Sequence, residues 1–143
     1  MRNTVIQPDF YNAYKRHLDD AEYLYAASRW PNADQLYAYS AECGLKCLMQ
    51  LFGMFVDLLK GKPLPKDRIH ADEIWDRYET YRASRGAIGY ELPQINPFSN
   101  WNISNRYIHD SNFNQTNVNV HKNGTEIVSR LINKAILEGR LFI

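Results

Sequence analysis

Residues 29–46 run Arg29-Trp30-Pro31-Asn32-Ala33-Asp34-Gln35-Leu36-Tyr37-Ala38-Tyr39-Ser40-Ala41-Glu42-Cys43-Gly44-Leu45-Lys46. How this stretch starts and continues decides the fold. Trp30-Pro31-Asn32 interrupts the preceding pattern, because the residue before a proline avoids the helical region. Asn32 is a good N-cap. Beyond it, Ala33, Tyr37, Ser40 or Ala41, Gly44, Leu48, Leu51 and Phe55 recur at helical spacing, and Leu45 and Phe52 widen the stripe. The spacing predicts a helix over about 32–59. Gly44 costs about 1 kcal/mol in a helix interior, so another element should approach closely there.

Upstream, Phe10, Tyr14, Leu18, Ala21 and Tyr25 form a matching stripe with charged residues between them, predicting a helix over 9–29. Two helices of that length joined by a few residues fold back as an antiparallel hairpin. Downstream, Gly61-Lys62-Pro63-Leu64-Pro65 reads as a linker. A third helix covers about 71–84, with Ile74, Trp75, Tyr78 and Tyr81 on one side. Residues 85–99 form a loop. A last helix covers about 118–138, with Ile127, Val128, Leu131, Ala135 and Ile136 as its core face and Gly139 as a C-terminal cap. No strand shows sustained alternation. The expected fold is all-α: an antiparallel four-helix bundle with extra short helical turns, in one domain spanning 1–143.

Composition narrows function less than fold. The 143 residues carry a net charge of +1, so any polyanion site must be a local patch. No apolar run spans a bilayer and MRNTVIQPDF is unlike a signal peptide, which predicts a cytoplasmic protein without a membrane partner. Cys43 and Cys47 read as small buried side chains, since no further ligand stands at metal-binding spacing. No cofactor or metal is expected, and no Gly-rich phosphate loop, nucleophile elbow or H-E-x-x-H is present.

The chemistry-bearing stretch is Ser104-Asn105-Arg106-Tyr107-Ile108-His109-Asp110-Ser111-Asn112-Phe113. If it were helical, Arg106, His109 and Asp110 would share a face. One reading is a functional cluster. The other is a solvated i,i+4 Arg106–Asp110 ion pair, with Tyr107 and Ile108 packed inward and His109 capping a neighbouring turn. Nine asparagines between Asn96 and Asn123 predict loops and short turns with free side-chain amides. Glu42 and Lys46 form a second i,i+4 pair. His17 reads as structural, and Tyr90 and Tyr107 stand where an aromatic could stack on a base.

The small and apolar residues leading into Ala41-Glu42-Cys43-Gly44-Leu45-Lys46, an A-E-x-x-L-K pattern, resemble the HEPN family of helical bundles. The order of parts is similar too: a long hairpin, a shorter third helix, an Arg/His segment and a closing helix. The resemblance implies a homodimer, and a metal-independent ribonuclease of a toxin–antitoxin or defence system. Its implied partners are RNA and an antitoxin or nucleotidyltransferase-like protein. Active members carry an arginine and then a histidine four to six residues on; here Arg106 and His109 have only two residues between them. In that reading His109 deprotonates the 2′-hydroxyl, Arg106 stabilises phosphorane charge and Asp110 orients His109. Arg68, His70, Asn102, Asn105, Tyr107 and His121 are the candidate RNA contacts. The alternative is a non-catalytic HEPN-like adaptor that contacts RNA, nucleotide or a protein partner.

Overall fold

The computed structural model describes residues 5–142; the expected polar N-terminus lies partly outside them. The described residues are mostly helical, with four α-helices and one two-stranded sheet among them. Helix α1 spans Phe10–Ala26, capped by Asp9, whose carboxylate accepts from the Asn12 N–H. Helix α2 spans Trp30–Leu51, α3 spans Ala71–Ser84, and α4 spans Gln115–Leu137.

Helix α2 is the centre, packing against α1, α3 and α4. It folds back on α1: Tyr25 meets Trp30 and Tyr37 across the turn, and farther along the Ser40 hydroxyl donates to the Tyr14 carbonyl. Gly44 sits under α1 and α4 together. A Cβ placed there would lie 3.1 Å from the Tyr14 ring and 2.6 Å from Val128 Cγ1, so the close approach expected from the sequence is real and involves two helices.

Helix α2 departs from its expected bounds at both ends. It begins at Trp30 and not at Asn32, and Pro31 sits in the first turn. There the missing N–H has no partner to lose, so the proline starts the helix instead of delaying it. The helix stops at Leu51. Gly53 takes φ +108, and the Met54 N–H reaches back 2.8 Å to the Met49 carbonyl, a glycine-terminated helix end. Phe55, expected on the buried stripe, is therefore exposed.

The stretch after α2 contains the unexpected sheet. Strands β1 (Val56–Asp57) and β2 (Lys62–Pro63) pair antiparallel, with Val56 opposite Pro63. The Asp57 carboxylate accepts from the Leu59 and Lys60 N–H groups, and Gly61 at φ +64 closes the turn. The segment read as a linker is thus half a hairpin, too short for alternation to reveal it. Helix α3 buries Ile74, Trp75, Tyr78 and Tyr81, the side expected. The loop after it is pinned to α3: Tyr78 donates to the Tyr90 carbonyl and Asn96 to the Asp72 carbonyl. These ties sink Phe98 and Trp101 into the core.

Helix α4 starts three residues before the expected position, because Asn114 caps it by accepting from the Asn117 N–H at 2.8 Å. Its buried stripe is Val118, His121, Thr125, Val128, Ile132 and Ala135, one position round from the expected face. Ile127, Leu131 and Ile136 are only half-buried. Val128 and Ala135 of the expected face are fully buried, and Ile127, Leu131 and Ile136 pack at its margin; the stripe also includes a histidine and a threonine whose polar atoms are satisfied inside.

Burial pushes the Cys43 thiol up to about 12 and the Cys47 thiol up to about 11. Neither thiol is then nucleophilic near neutrality. Native protein at pH 8 is expected to resist iodoacetamide over hours, whereas protein unfolded in urea should take up two alkyl groups. Rapid native labelling, read by mass spectrometry, would show that this part of α2 opens easily.

Candidate functional site

The stretch 103–112 is not one α-helix, so Arg106, His109 and Asp110 do not share a helical face. Two 3₁₀ turns, Ile103–Tyr107 and Asp110–Asn112, flank an extended Ile108-His109 step. Asparagine caps and short polar side chains favour such turns over a continued helix. Asn102 caps the first by accepting from the Ser104 N–H, and His109 caps the second by accepting, through Nδ1, from the Ser111 N–H.

Consequently the expected Arg106–Asp110 ion pair is not formed. Arg106 turns onto its neighbour instead, donating to the Tyr107 hydroxyl at 2.8 Å with its guanidinium 4.8 Å from that ring's centre. The hydrogen bond raises the Arg106 pKa, so the group is a permanent cation. Tyr107 and Ile108 do not pack inward; both are exposed. The capping role expected of His109 in the structural reading does occur. His109 Nδ1 also lies 3.2 Å from Asp110 Oδ1, with both side chains nearly four-fifths exposed.

These turns form one wall of a cleft of about 600 Å³. The other wall is the α1–α2 junction. Arg29 and Trp30 face Arg106, Ile108 and Asp110 across it. Neither Arg29 nor Arg106 has a carboxylate partner among the described residues. Two unpaired guanidiniums beside an indole suit an anionic, aromatic ligand.

Arg68 and His70 are committed elsewhere. Arg68 Nε donates to the Pro63 carbonyl, holding the small hairpin. His70 Nδ1 lies 2.9 Å from Glu42 Oε1, whose other oxygen accepts from Lys46. Glu42 and Lys46 are largely buried, so this pair is a network and not an exposed trifle. His17 stacks at a tilt beside Tyr39, and burial lowers its pKa. Tyr90 is buried and donates to Glu138, so it offers no face for stacking.

His121 leans toward the Asn-rich loop, as expected, but as part of a larger arrangement. It is 4% exposed, its Nδ1 is 2.5 Å from Asp34 Oδ1, and its Nε2 is 2.8 Å from Asn100 Oδ1. The imidazole lies flat on Phe98, centroids 5.3 Å apart. Helices α2 and α4 supply Asp34 and His121, and the loop supplies Asn100. A second, smaller recess of about 180 Å³ opens above them, lined also by Asn105, Ile108 and Phe113. Ile108 belongs to both recesses.

Asp34, Asn100 and Arg29 were not singled out in the sequence. A signal existed for Asp34: with Ala38, Ala41, Leu45 and Leu48 it sits on the apolar stripe of α2, where an acid requires a partner. Nothing local marks Arg29 or Asn100, which depend on how the loop crosses the hairpin.

Among the described residues, no three His, Cys, Asp or Glu side chains gather in a way that could hold a metal ion, and no helix is long and apolar enough to cross a membrane. Comparison with protein-family models, curated proteins and solved structures finds no match.

Proposed function

We propose that the protein is an HEPN-like antiparallel four-helix bundle that binds RNA and cleaves it without a metal ion, acting as a homodimer. The observation that carries this reading is the cleft lined by Arg29, Trp30, Arg106 and Asp110, in which neither arginine forms an ion pair among the described residues. Phosphate is the ligand that two such forks suit, and a stacked base would use the indole.

His109 does not line that cleft itself but lies in the chain between Ile108 and Asp110, which do. A neutral imidazole has one acceptor nitrogen. While Nδ1 accepts from the Ser111 N–H, Nε2 carries the proton and cannot act as a base. When Nδ1 instead donates to Asp110, Nε2 is free to take the proton from an RNA 2′-hydroxyl. The 2′-oxygen then attacks phosphorus, the P–O5′ bond breaks, and the leaving oxygen takes a proton from solvent. Arg106 neutralises charge on the phosphorane. The products are a 2′,3′-cyclic phosphate and a 5′-hydroxyl end.

The second reading, a non-catalytic adaptor for RNA, nucleotide or a protein such as an antitoxin, draws on the same histidine. Its Nδ1 caps a turn, which is a structural duty.

One experiment separates them: total RNA incubated in EDTA with wild-type protein, His109→Ala and Arg106→Ala. Cleavage by wild type, with cyclic phosphate ends, should fall by about 10²–10⁴ in His109→Ala while the helical signal stays intact, the structural loss being the cap of one exposed three-residue turn. Arg106→Ala should also weaken RNA retention, most clearly at low salt, because the variant makes one phosphate contact fewer and its binding falls less steeply as salt rises. Equal decay in all samples would place the activity elsewhere. Retention without decay would favour the adaptor.

A further inference from the structure

We infer that the β1–β2 hairpin, with the N-terminal segment laid across it, is a docking surface for an anionic lipid bilayer, separate from the arginine cleft and independent of the RNA reading.

The hairpin exposes what folding ordinarily hides. Leu58 is 69% exposed, Leu59 86%, Phe55 59% and Ile6 91%. Single exposed leucines are normal, but large apolar side chains gathered on one small element form a patch. Ile6 belongs to it because residues 5–7 lie on the turn. A Cβ at Gly61 would stand 2.6 Å from the Ile6 carbonyl oxygen and 2.9 Å from Val5 Cγ1, and the Gln7 side-chain amide donates to the Leu58 carbonyl. The turn is held in shape from within. Asp57 Oδ1 accepts from the Leu59 N–H at 2.9 Å, and the Gly61 N–H donates to the Asp57 carbonyl at 2.7 Å. The leucines therefore project from a fixed tip.

Charge decides what covers the patch. Lys60, Lys62 and Lys66 stand on the same hairpin and just beyond it, all exposed and in no ion pair among the described residues. The acids of the segment are already engaged, Asp57 in the turn and Asp67 with Arg77 Nε at 2.9 Å. On a chain of net charge +1 this is a local concentration of positive charge. A bilayer with anionic headgroups answers both features, offering the acyl boundary to the leucines and phosphate to the lysines. A second copy of the chain packed by a two-fold axis would set these lysines against their own equivalents. RNA would neutralise the lysines and leave the leucines in water. Docking of this kind lies on the bilayer and needs no spanning helix.

The test is co-sedimentation of the full chain with vesicles of phosphatidylcholine alone and of phosphatidylcholine with about 30% phosphatidylserine, at low and high salt. Binding is expected to the anionic vesicles, with little to the neutral ones, and should fall as salt rises. Lys60→Gln/Lys62→Gln/Lys66→Gln should weaken it on the order of 100-fold, about fivefold per lysine. Leu58→Ser/Leu59→Ser should weaken it about tenfold or more and, both positions being exposed, leave the helical signal unchanged. Leu59→Trp reports the contact directly: its emission should shift to the blue on anionic vesicles and be quenched by lipids brominated on their acyl chains. Wild type should respond little, since Trp75 and Trp101 are buried. The inference is overturned if the protein stays in the supernatant with both vesicle types, if neutral vesicles bind it equally, or if the leucine variant binds as well as wild type. A dimer in light scattering that the leucine variant dissolves, with no vesicle binding, would also overturn it and assign the patch to a second copy.

Discussion

Asp34→Ala is expected to lower the stability of the fold by about 1–3 kcal/mol, the usual consequence of leaving a buried hydrogen-bonding group without its partner. The side chains of Asp34 and His121 are 3% and 6% exposed, so only water entering by the small recess above them could replace the lost carboxylate. The imidazole Nδ1 would be left inside the fold without its partner. The effect should extend beyond the pair. His121 holds Asn100, and Phe98 stacks on the ring, so the loop between α3 and α4 loses its anchor on α2. Asp34→Asn keeps an acceptor near Nδ1 and should cost less. The check is chemical denaturation of Asp34→Ala, His121→Leu and the double variant. Strong coupling is expected, because each single change already breaks the same contact. Additive losses would mean that the two residues contribute separately and that the pair is not the unit.

Gly44→Leu should be comparably damaging, for a steric reason. Even the first carbon of a side chain would stand 2.6 Å from Val128 Cγ1 and 3.1 Å from Tyr14. Val128 is fully buried and β-branched, so it cannot swing aside, and Tyr14 is fixed by its hydroxyl, which donates to Ser129. The remaining leucine atoms must push α1 or α4 away from α2. Overpacking of this kind costs about 3 kcal/mol at the upper end of its usual range, which for a chain of this size is on the order of 10 °C in melting temperature. Gly44→Ala should show a smaller loss of the same sign. An unchanged thermal midpoint for Gly44→Leu would mean that α1, α2 and α4 do not meet at this residue.

The position of Gly44 shows why much of the fold could be read from the chain. A glycine inside a long amphipathic pattern costs backbone entropy with no local return, so its presence signals a close neighbour. The stripes of α1, α2 and α3 are read in the same way, because helical periodicity is local information. Element ends were less legible. Pro31 opens α2 where a break was expected, and Gly53 stops it eight residues short of the expected end, since each acts through the hydrogen bonds available around it.

The candidate sites divide along the same line. Arg106, His109 and Asp110 are conspicuous as residue types, and their proximity in sequence survives in space. The chain alone shows an arginine, a histidine and an acid close together in an asparagine-rich segment, and amphipathic patterns for four helices. That this segment folds as two turns and not one helix, which cancels the Arg106–Asp110 pair and sets His109 against Asp110, is visible in the folded chain and not in its spacing. The fold alone brings Arg29, 77 residues away in the chain, opposite Arg106, and Asp34, 87 residues away, against His121. Those pairings depend on how the helices and the long loop pack, and packing between distant segments is driven by apolar burial that local sequence spacing does not encode.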